Sequence, residues 1–84
     1  MRFRFFTKVK NNKDNVKLMV LIFDDAKKTL DEFELREGEL IETSEVMKSL
    51  IAGSTEIDEI DEEEAQKLYP NIDIEDLLKE YKNA

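Results

Sequence analysis

The side chains that most often carry enzyme chemistry are missing from this chain of 84 residues. It contains no histidine and no cysteine, so it lacks the commonest general base at neutral pH and the commonest soft nucleophile. Ser44, Ser49 and Ser54 have no imidazole to activate them, and we interpret them as helix caps or surface residues. Gly38 and Gly53 stand outside any phosphate-binding glycine motif. We therefore predict a protein that is not an enzyme and uses no cofactor.

Oxygen ligands for a hard cation are the remaining chemical candidates. Two groups have suitable side chains for calcium or magnesium, namely Asp58, Glu59, Asp61 and Glu62, or Asn71, Asp73 and Glu75. Both lack the glycine and the spacing of a calcium-binding loop. We interpret them as solvated helix starts and predict no metal site.

Residues 56–64 hold seven carboxylates in nine positions. Such density is costly through self-repulsion, although helix capping and solubility explain part of it. Carboxylates at the pitch of backbone phosphates can instead occupy the basic groove of a nucleic-acid-binding protein. The sequence therefore predicts an acidic module that binds a basic surface on another protein, such as a nucleic-acid enzyme, as a nucleic-acid-mimicking inhibitor or a regulator. The residues predicted to make this contact are Glu56, Asp58, Glu59, Asp61, Glu62, Glu63, Asp73, Glu75 and Asp76.

A basic strand at the start of the chain supports an alternative function. Every second residue of this strand lies on one face, and the residues of that face are Arg2, Arg4, Phe6, Lys8 and Lys10. Cations around an exposed aromatic ring can hold single-stranded nucleic acid by phosphate contact and base stacking. The same cations also suit an edge strand that resists aggregation, or pairing with acidic helices of the chain. The net charge of −8 further opposes the approach of a nucleic acid.

Charge is divided unevenly along the chain. Residues 1–19 carry six basic side chains and one acidic one, whereas residues 20–84 carry seven basic and twenty acidic ones. We expect the opening hairpin to present a cationic surface and the remainder to present an anionic one. Pairing of these cations with downstream carboxylates would remove that distinction.

Assembly is a third functional alternative. A structural subunit or a homo-oligomer could complete its burial through an edge strand, or through the apolar stripe of Leu77, Leu78 and Tyr81. A homodimer would be compatible with either of the binding functions.

The opening of the chain predicts a β-hairpin. Residues 2–10 alternate with period two, which is typical of a strand with one wet face. The polar residues 11–15 can reverse the chain into a second strand over residues 16–23. After Lys17 this second run is apolar nearly throughout, as expected of a strand covered on both faces near the middle of a sheet.

Further strands and helices follow. Residues 29–35 and 40–43 predict a third strand and a short fourth one, and residues 55–60 are interpreted as irregular or briefly extended. Three short helices are predicted from their end signals. Their starts are Ser44, Asp61 (with Glu64 completing a capping box) and Asp73, and the first two helices end at Gly53 and Pro70.

The predicted fold is a single α+β domain over residues 1–84. It has an N-terminal antiparallel sheet of three to four strands beginning with the hairpin, followed by three short α-helices packed on one face. No run of residues has the length and apolarity of a membrane span or a signal peptide, so we expect a cytoplasmic protein with no membrane contact. The predicted core is Phe3, Phe5, Val9, Leu18, Val20, Ile22, Phe33, Leu35, Val46, Leu50, Leu68 and Leu77.

Overall fold

The protein forms a five-stranded antiparallel sheet with short helices, an α+β architecture. The computed structural model describes residues 1–9, 16–53 and 56–82. Among these residues, no helix is long and apolar enough to cross a membrane. The elements are β1 (Arg2–Val9), β2 (Val16–Asp24), β3 (Thr29–Arg36), β4 (Glu39–Glu42), α1 (Glu45–Ala52), β5 (Ile57–Ile60), α2 (Glu62–Leu68), α3 (Ile74–Leu77) and α4 (Lys79–Lys82).

The strand order is β4-β3-β2-β1-β5. β1 and β2 pair antiparallel, as the predicted hairpin requires, while the predicted turn at residues 11–15 lies outside the described residues. The sheet has more strands than predicted, because the segment interpreted as irregular or briefly extended pairs with β1 as β5. β1 is consequently an internal strand, and the four-residue strands β4 and β5 form the two edges.

β2 is buried on both faces at the centre of the sheet, as predicted. Leu18, Val20 and Ile22 belong to one hydrophobic cluster, whereas Met19 and Leu21 belong to another. Successive side chains of a strand point to opposite faces, so the two clusters lie on opposite sides of the sheet. The apolar run of β2 therefore needs cover on both sides.

Helices supply that cover on both faces, which corrects the prediction that they pack on one. The first cluster contains Ala65 of α2, Ile74 of α3 and Leu78, which separates α3 from α4. The second contains Val46 of α1 together with Phe6 of β1. We call these sides of the sheet the α2–α3 face and the α1 face.

The observed core departs from the predicted one at several positions. Leu50 and Leu68 are 47% and 49% exposed, because α1 buries only Val46 among its side chains and α2 packs mainly through Ala65. The side chain of Val9 is outside the described set. Phe3 and Leu77 pack partly buried against the core, and the remaining predicted positions are buried. The buried hydrophobic residues absent from the prediction are Phe6, Met19, Leu21, Ala65, Ile74 and Leu78.

The turn between β3 and β4 lies at Gly38, as the sequence predicts. Glu37 and Gly38 form a two-residue turn in which both φ angles are positive, at 51° and 80°. Arg36 and Glu39 pair on either side of it. Such turns twist in the sense that an antiparallel hairpin needs, and glycine adopts a positive φ without a steric penalty.

Helix α1 begins differently from the prediction. Ser44 occupies the N-cap position, but its side chain makes no capping hydrogen bond. The carboxylate of Glu32, on β3, accepts the N–H groups of Val46 at 2.9 Å and Met47 at 3.0 Å. Glu32 is buried, so a charged side chain from the sheet satisfies the first amides of the helix and anchors it to the α1 face.

The other helix starts follow the prediction. Asp61 accepts the N–H of Glu64 at 2.8 Å, and Asp73 accepts the N–H of Asp76 at 3.1 Å. Gln66 then holds the connection between α2 and α3, because its amide accepts the N–H of Ile74 at 3.0 Å and donates to backbone carbonyls of the intervening segment. These bonds set α3 against the core.

We expect Glu32→Ala to lower the free energy of unfolding by about 1–3 kcal/mol, because two backbone N–H groups lose their acceptor near the core. Glu32→Gln keeps the shape and one amide oxygen, so it should fall between Glu32→Ala and the original protein. Urea unfolding measures both effects, and Asp31→Asn at the neighbouring exposed position is the control. Equal stability of Glu32→Ala and Asp31→Asn would show that α1 does not depend on this carboxylate.

Candidate functional site: an acidic groove between β1, β5 and α2

An open groove of about 670 Å³ lies where β1, β5 and the start of α2 meet. Phe3 and Ile60 contribute apolar surface and are packed, partly buried, against the core. The carboxylate residues that line it are Glu59, Asp61, Glu62 and Glu64. We call this feature the acidic groove.

The local fold places these carboxylates together. Glu59 lies opposite Phe6 in the β1–β5 ladder, one residue before β5 ends. The chain then turns directly into α2 at its N-cap, Asp61. Glu62 and Glu64 lie in the first turn, where their charge complements the positive end of the helix.

Arg4 is the one cation among the described residues that line the acidic groove. Its Nε donates to Glu59 Oε2 at 3.1 Å, its second nitrogen donates to Oε1, and its guanidinium carbon lies 5.4 Å from the centre of the Phe6 ring. The hydrogen bond between these side chains raises the pKa of Arg4 and lowers the pKa of Glu59. Arg4 therefore neutralises one wall of the groove, while the Glu64 carboxylate forms no ion pair with any described residue.

The described basic residues of the opening hairpin are paired with carboxylates from elsewhere in the chain. The expectation of a separate cationic surface is therefore wrong for these residues, and Lys10 and Lys13 lie outside the described part of the chain. Each pair brings together side chains distant in sequence, which a linear charge count cannot reveal. The pairs are Arg2–Asp25 at 2.8 Å, Arg4–Glu59, Lys8–Glu56 at 3.7 Å and Lys17–Glu45 at 3.0 Å.

Phe6, predicted to be an exposed stacking platform, is only 2% exposed. Pairing of β5 with β1 and the packing of α1 bury it with Met19 and Leu21. Arg2, Arg4 and Lys8 do share its strand face, because they alternate with it in β1. The structure thus assembles the predicted basic row but buries the ring that was predicted to stack on a base. Phe23, 36% exposed, is the aromatic ring beside this row, with the guanidinium carbon of Arg2 5.0 Å from its centre.

The predicted acidic residues do not form one continuous surface. Asp58 and Glu59 lie next to each other in β5 and so point to opposite sides of the sheet. Glu63 on α2 approaches Lys67 at 3.8 Å. The carboxylates at the start of α3, at Asp73, Glu75 and Asp76, line no part of the acidic groove.

Phe3, Ile60 and Glu64 belong to the groove but were not among the predicted binding residues. Glu64 was recognised as part of a capping box, and Phe3 as part of the core. The groove exists only because β5 pairs with β1. Residues 57–60 are four in number and do not alternate between apolar and polar side chains, so their pattern does not predict a strand. The pairing of β5 with β1 is what brings these residues together, and no local pattern in the sequence indicates it.

The two groups of candidate oxygen ligands both contain a carboxylate that caps a helix, Asp61 in the first and Asp73 in the second. Among the residues that the structure describes, no three acidic side chains are placed to hold a metal ion. Asp61 and Asp73 instead accept backbone N–H groups at helix starts.

Comparison with known proteins adds no relative to this description. No protein-family model, no curated protein and no solved structure matches the chain. Its function is therefore argued from the geometry of its own side chains.

We expect Arg4→Gln to raise the pKa of Glu59 toward its ordinary value, since the charged hydrogen-bond donor is lost. A lowered pKa in the folded state stabilises the fold above the unfolded pKa, and this contribution disappears as the pH falls through the lowered pKa. The difference in unfolding free energy between Arg4→Gln and the original protein should therefore shrink in acid.

Side-chain carboxyl NMR shifts of Glu59, followed through an acid titration, measure this directly. Arg2→Gln is the matched control, because Arg2 pairs with Asp25 and not with Glu59. A Glu59 titration that is the same in Arg4→Gln and Arg2→Gln would contradict the assigned cause of the shift.

Proposed function

We propose that this chain is a non-enzymatic interaction module whose acidic groove binds basic side chains on the surface of another protein. The observation that carries the proposal is the meeting of four carboxylate residues with the partly buried Phe3 and Ile60 in one groove. Inhibition and regulation of a nucleic-acid enzyme are two forms that this function can take. Nucleic-acid mimicry stays a prediction, as does a location in the cytoplasm.

The chemistry of the groove suits arginine or lysine. An arginine side chain combines an apolar stem and a planar cation, so it can pack against Phe3 while its guanidinium bonds to carboxylates. Glu62 and Glu64 line the groove from α2, beside Phe3 and Ile60. Glu59 points to the opposite face of the sheet, where both of its oxygens accept from Arg4. A cation that enters the groove would therefore meet the carboxylates of the first turn of α2.

The overall electrostatics favour the same partner. The cations of β1 are engaged within the chain, and the net charge of −8 leaves an excess of carboxylates. A surplus of one sign accelerates encounter with a surface of the opposite sign and discourages like-charged partners. The groove would then select the orientation of the bound basic surface, since its apolar lining adds contacts that a uniformly acidic surface lacks.

The assembly alternatives receive less support from the fold. Leu78 is fully buried, and Leu77 and Tyr81 pack against the core, with the Tyr81 ring 5.6 Å from that of Phe33. The stripe predicted to join two copies is thus largely used inside one. Both edge strands carry carboxylates, and like charges oppose the pairing of one edge with its copy.

We expect the double substitution Glu62→Gln and Glu64→Gln to weaken binding of a basic peptide by roughly fivefold or more at low salt, because two acceptors of the groove lose their charge. The probe is a peptide of alternating arginine and glycine, titrated into isotope-labelled protein and followed by amide NMR shifts. Shifts should concentrate at Phe3, Ile60 and the first turn of α2, and binding should weaken with added salt.

The matched control is Glu37→Gln with Glu39→Gln, which removes the same charge at the β3–β4 turn. A third variant, Glu75→Gln with Asp76→Asn, tests whether the binding surface extends to α3 as the sequence predicted. Equal losses in all three variants would mean that net charge alone attracts the peptide, and the groove would then have no specific role.

A further inference from the structure

Strand β5 (Ile57–Ile60) forms an edge of the sheet, and no strand of the described residues pairs with its outer side. A strand at an edge leaves half of its backbone N–H and C=O groups pointing away from the sheet. Such an edge can accept an extended segment of another chain as an added strand. The kind of segment that fits depends on which backbone groups point outward and which side chains flank them.

The direction of the backbone groups follows from the turn between β3 and β4. In a two-residue turn of this type the flanking residues, here Arg36 and Glu39, form a hydrogen-bonded pair. The N–H of Thr43 bonds to the carbonyl of Glu32 at 3.2 Å, which continues the same alternation along β3. Every second residue of β3, counted back from Arg36, therefore directs its backbone groups toward β4, and the residues between them direct theirs toward β2.

The same alternation determines which residues of β5 are open to an added strand. The registers from β3 to β2, from β2 to β1 and from β1 to β5 are continuous, so the alternation carries across the whole sheet. It turns the backbone groups of Asp58 and Ile60 toward β1, and it turns those of Ile57 and Glu59 away from the sheet. An antiparallel strand added here would bond to the N–H and C=O groups of Ile57 and Glu59.

The side chains that flank this edge differ between the two faces of the sheet. On the α2–α3 face, Asp58 is exposed and forms no ion pair with any described residue, and Ile60 lines the acidic groove. On the α1 face, Glu59 is bonded to Arg4, and Ile57 packs partly buried against the apolar cluster. Uncompensated negative charge therefore borders the edge on the α2–α3 face, which is the face of the acidic groove.

We propose that an extended basic segment of a protein partner adds to β5 as an antiparallel strand and places its cations at the acidic groove, an inference that rests on the proposed function. Residues of the added strand opposite Asp58 and Ile60 would point to the α2–α3 face, where arginine or lysine meets carboxylates. Residues opposite Ile57 and Glu59 would point to the α1 face, where uncharged β-branched side chains avoid the charge of Arg4. The segment therefore carries a cation at every second position.

A second copy of this chain fits the edge less well than a basic segment. Two β5 strands paired with each other would bring Asp58 and Glu59 of both copies together, and pairing with the β4 edge would bring Glu39 and Glu42 instead. Each copy also carries a net charge of −8. An extended basic segment satisfies the outward backbone groups and the carboxylates beside them at the same time.

The test uses a short peptide in which arginine alternates with threonine, together with two N-methylated forms of it. In the added strand the threonine N–H groups point toward β5 and the arginine N–H groups point away. Methylation of the threonine nitrogens should therefore weaken binding by about tenfold or more, whereas methylation of the arginine nitrogens should change it less than about threefold. The two forms have the same charge and the same number of methyl groups. Equal losses, or a larger loss from the arginine methylation, would overturn the proposal.

Amide hydrogen exchange of the protein locates the added strand. Saturation with the unmodified peptide should slow exchange at the N–H groups of Ile57 and Glu59 by about tenfold, with smaller changes at Asp58 and Ile60, which already bond to β1. Unchanged exchange at Ile57 and Glu59 would contradict strand addition. Slowing at these two amides with rising protein concentration, in the absence of peptide, would assign the edge to a second copy and overturn the proposal.

Substitutions separate strand addition from the proposed function. Asp58→Asn should weaken binding of the unmodified peptide by about threefold, and Glu75→Gln, which removes a charge from α3, should change it by less than about 1.5-fold. If Glu62→Gln with Glu64→Gln weakens binding while all three peptides bind alike, the groove function stands and strand addition falls. If none of the peptides depends on Glu62 and Glu64, the proposed function falls and this inference falls with it.

Discussion

The apolar run of β2 must be covered on both faces of the sheet, and the rest of the structure follows from this constraint. Leu18, Val20 and Ile22 face one side while Met19 and Leu21 face the other. A small domain buries a limited share of its surface, so two thin layers of helix have to protect one strand from water. Helices α2 and α3 cover one face, and α1 has to cover the other.

Covering the α1 face requires a crossing from the β4 edge to the β5 edge. The chain leaves β4, passes through α1 and returns as β5 beside β1. The single short helix is held mainly at its start, by Val46 and by the buried carboxylate of Glu32. That arrangement leaves the outer half of α1 exposed, and it also creates the edge strand from which the acidic groove is built.

Electrostatics follow from the same topology. Once β5 pairs with β1, Arg4 meets Glu59 and Lys8 approaches Glu56, so cations near the beginning of the chain are compensated by carboxylates more than forty positions later. Exposed pairs of this kind contribute little stability individually. Their larger effect is on function, because they remove a basic surface and leave the excess of carboxylates to determine which partners approach.

The acidic groove would recognise a partner through one or two inserted cations, because Glu62 and Glu64 of α2 line it beside Phe3 and Ile60. Glu59 points to the other face of the sheet and is already bonded to Arg4.

Local patterns in the sequence determined much of the secondary structure. The alternation of β1, the apolar run of β2, the turn at Glu37 and Gly38, and the N-caps at Asp61 and Asp73 are all properties of neighbouring residues. Composition likewise determined the acidic excess and the absence of histidine and cysteine. These features could be predicted because their physical causes act over a few positions.

Tertiary structure alone decided which face each helix covers and which charges meet. Residues 57–60 became a strand because β1 offered an unpaired edge, and that pairing buried Phe6, compensated Arg4 and formed the acidic groove. Glu32 became the cap of α1 because folding brought it to a helix start beyond the next strand. Contacts between distant segments depend on the packing of the whole sheet, and no local period or charge count in the sequence records them.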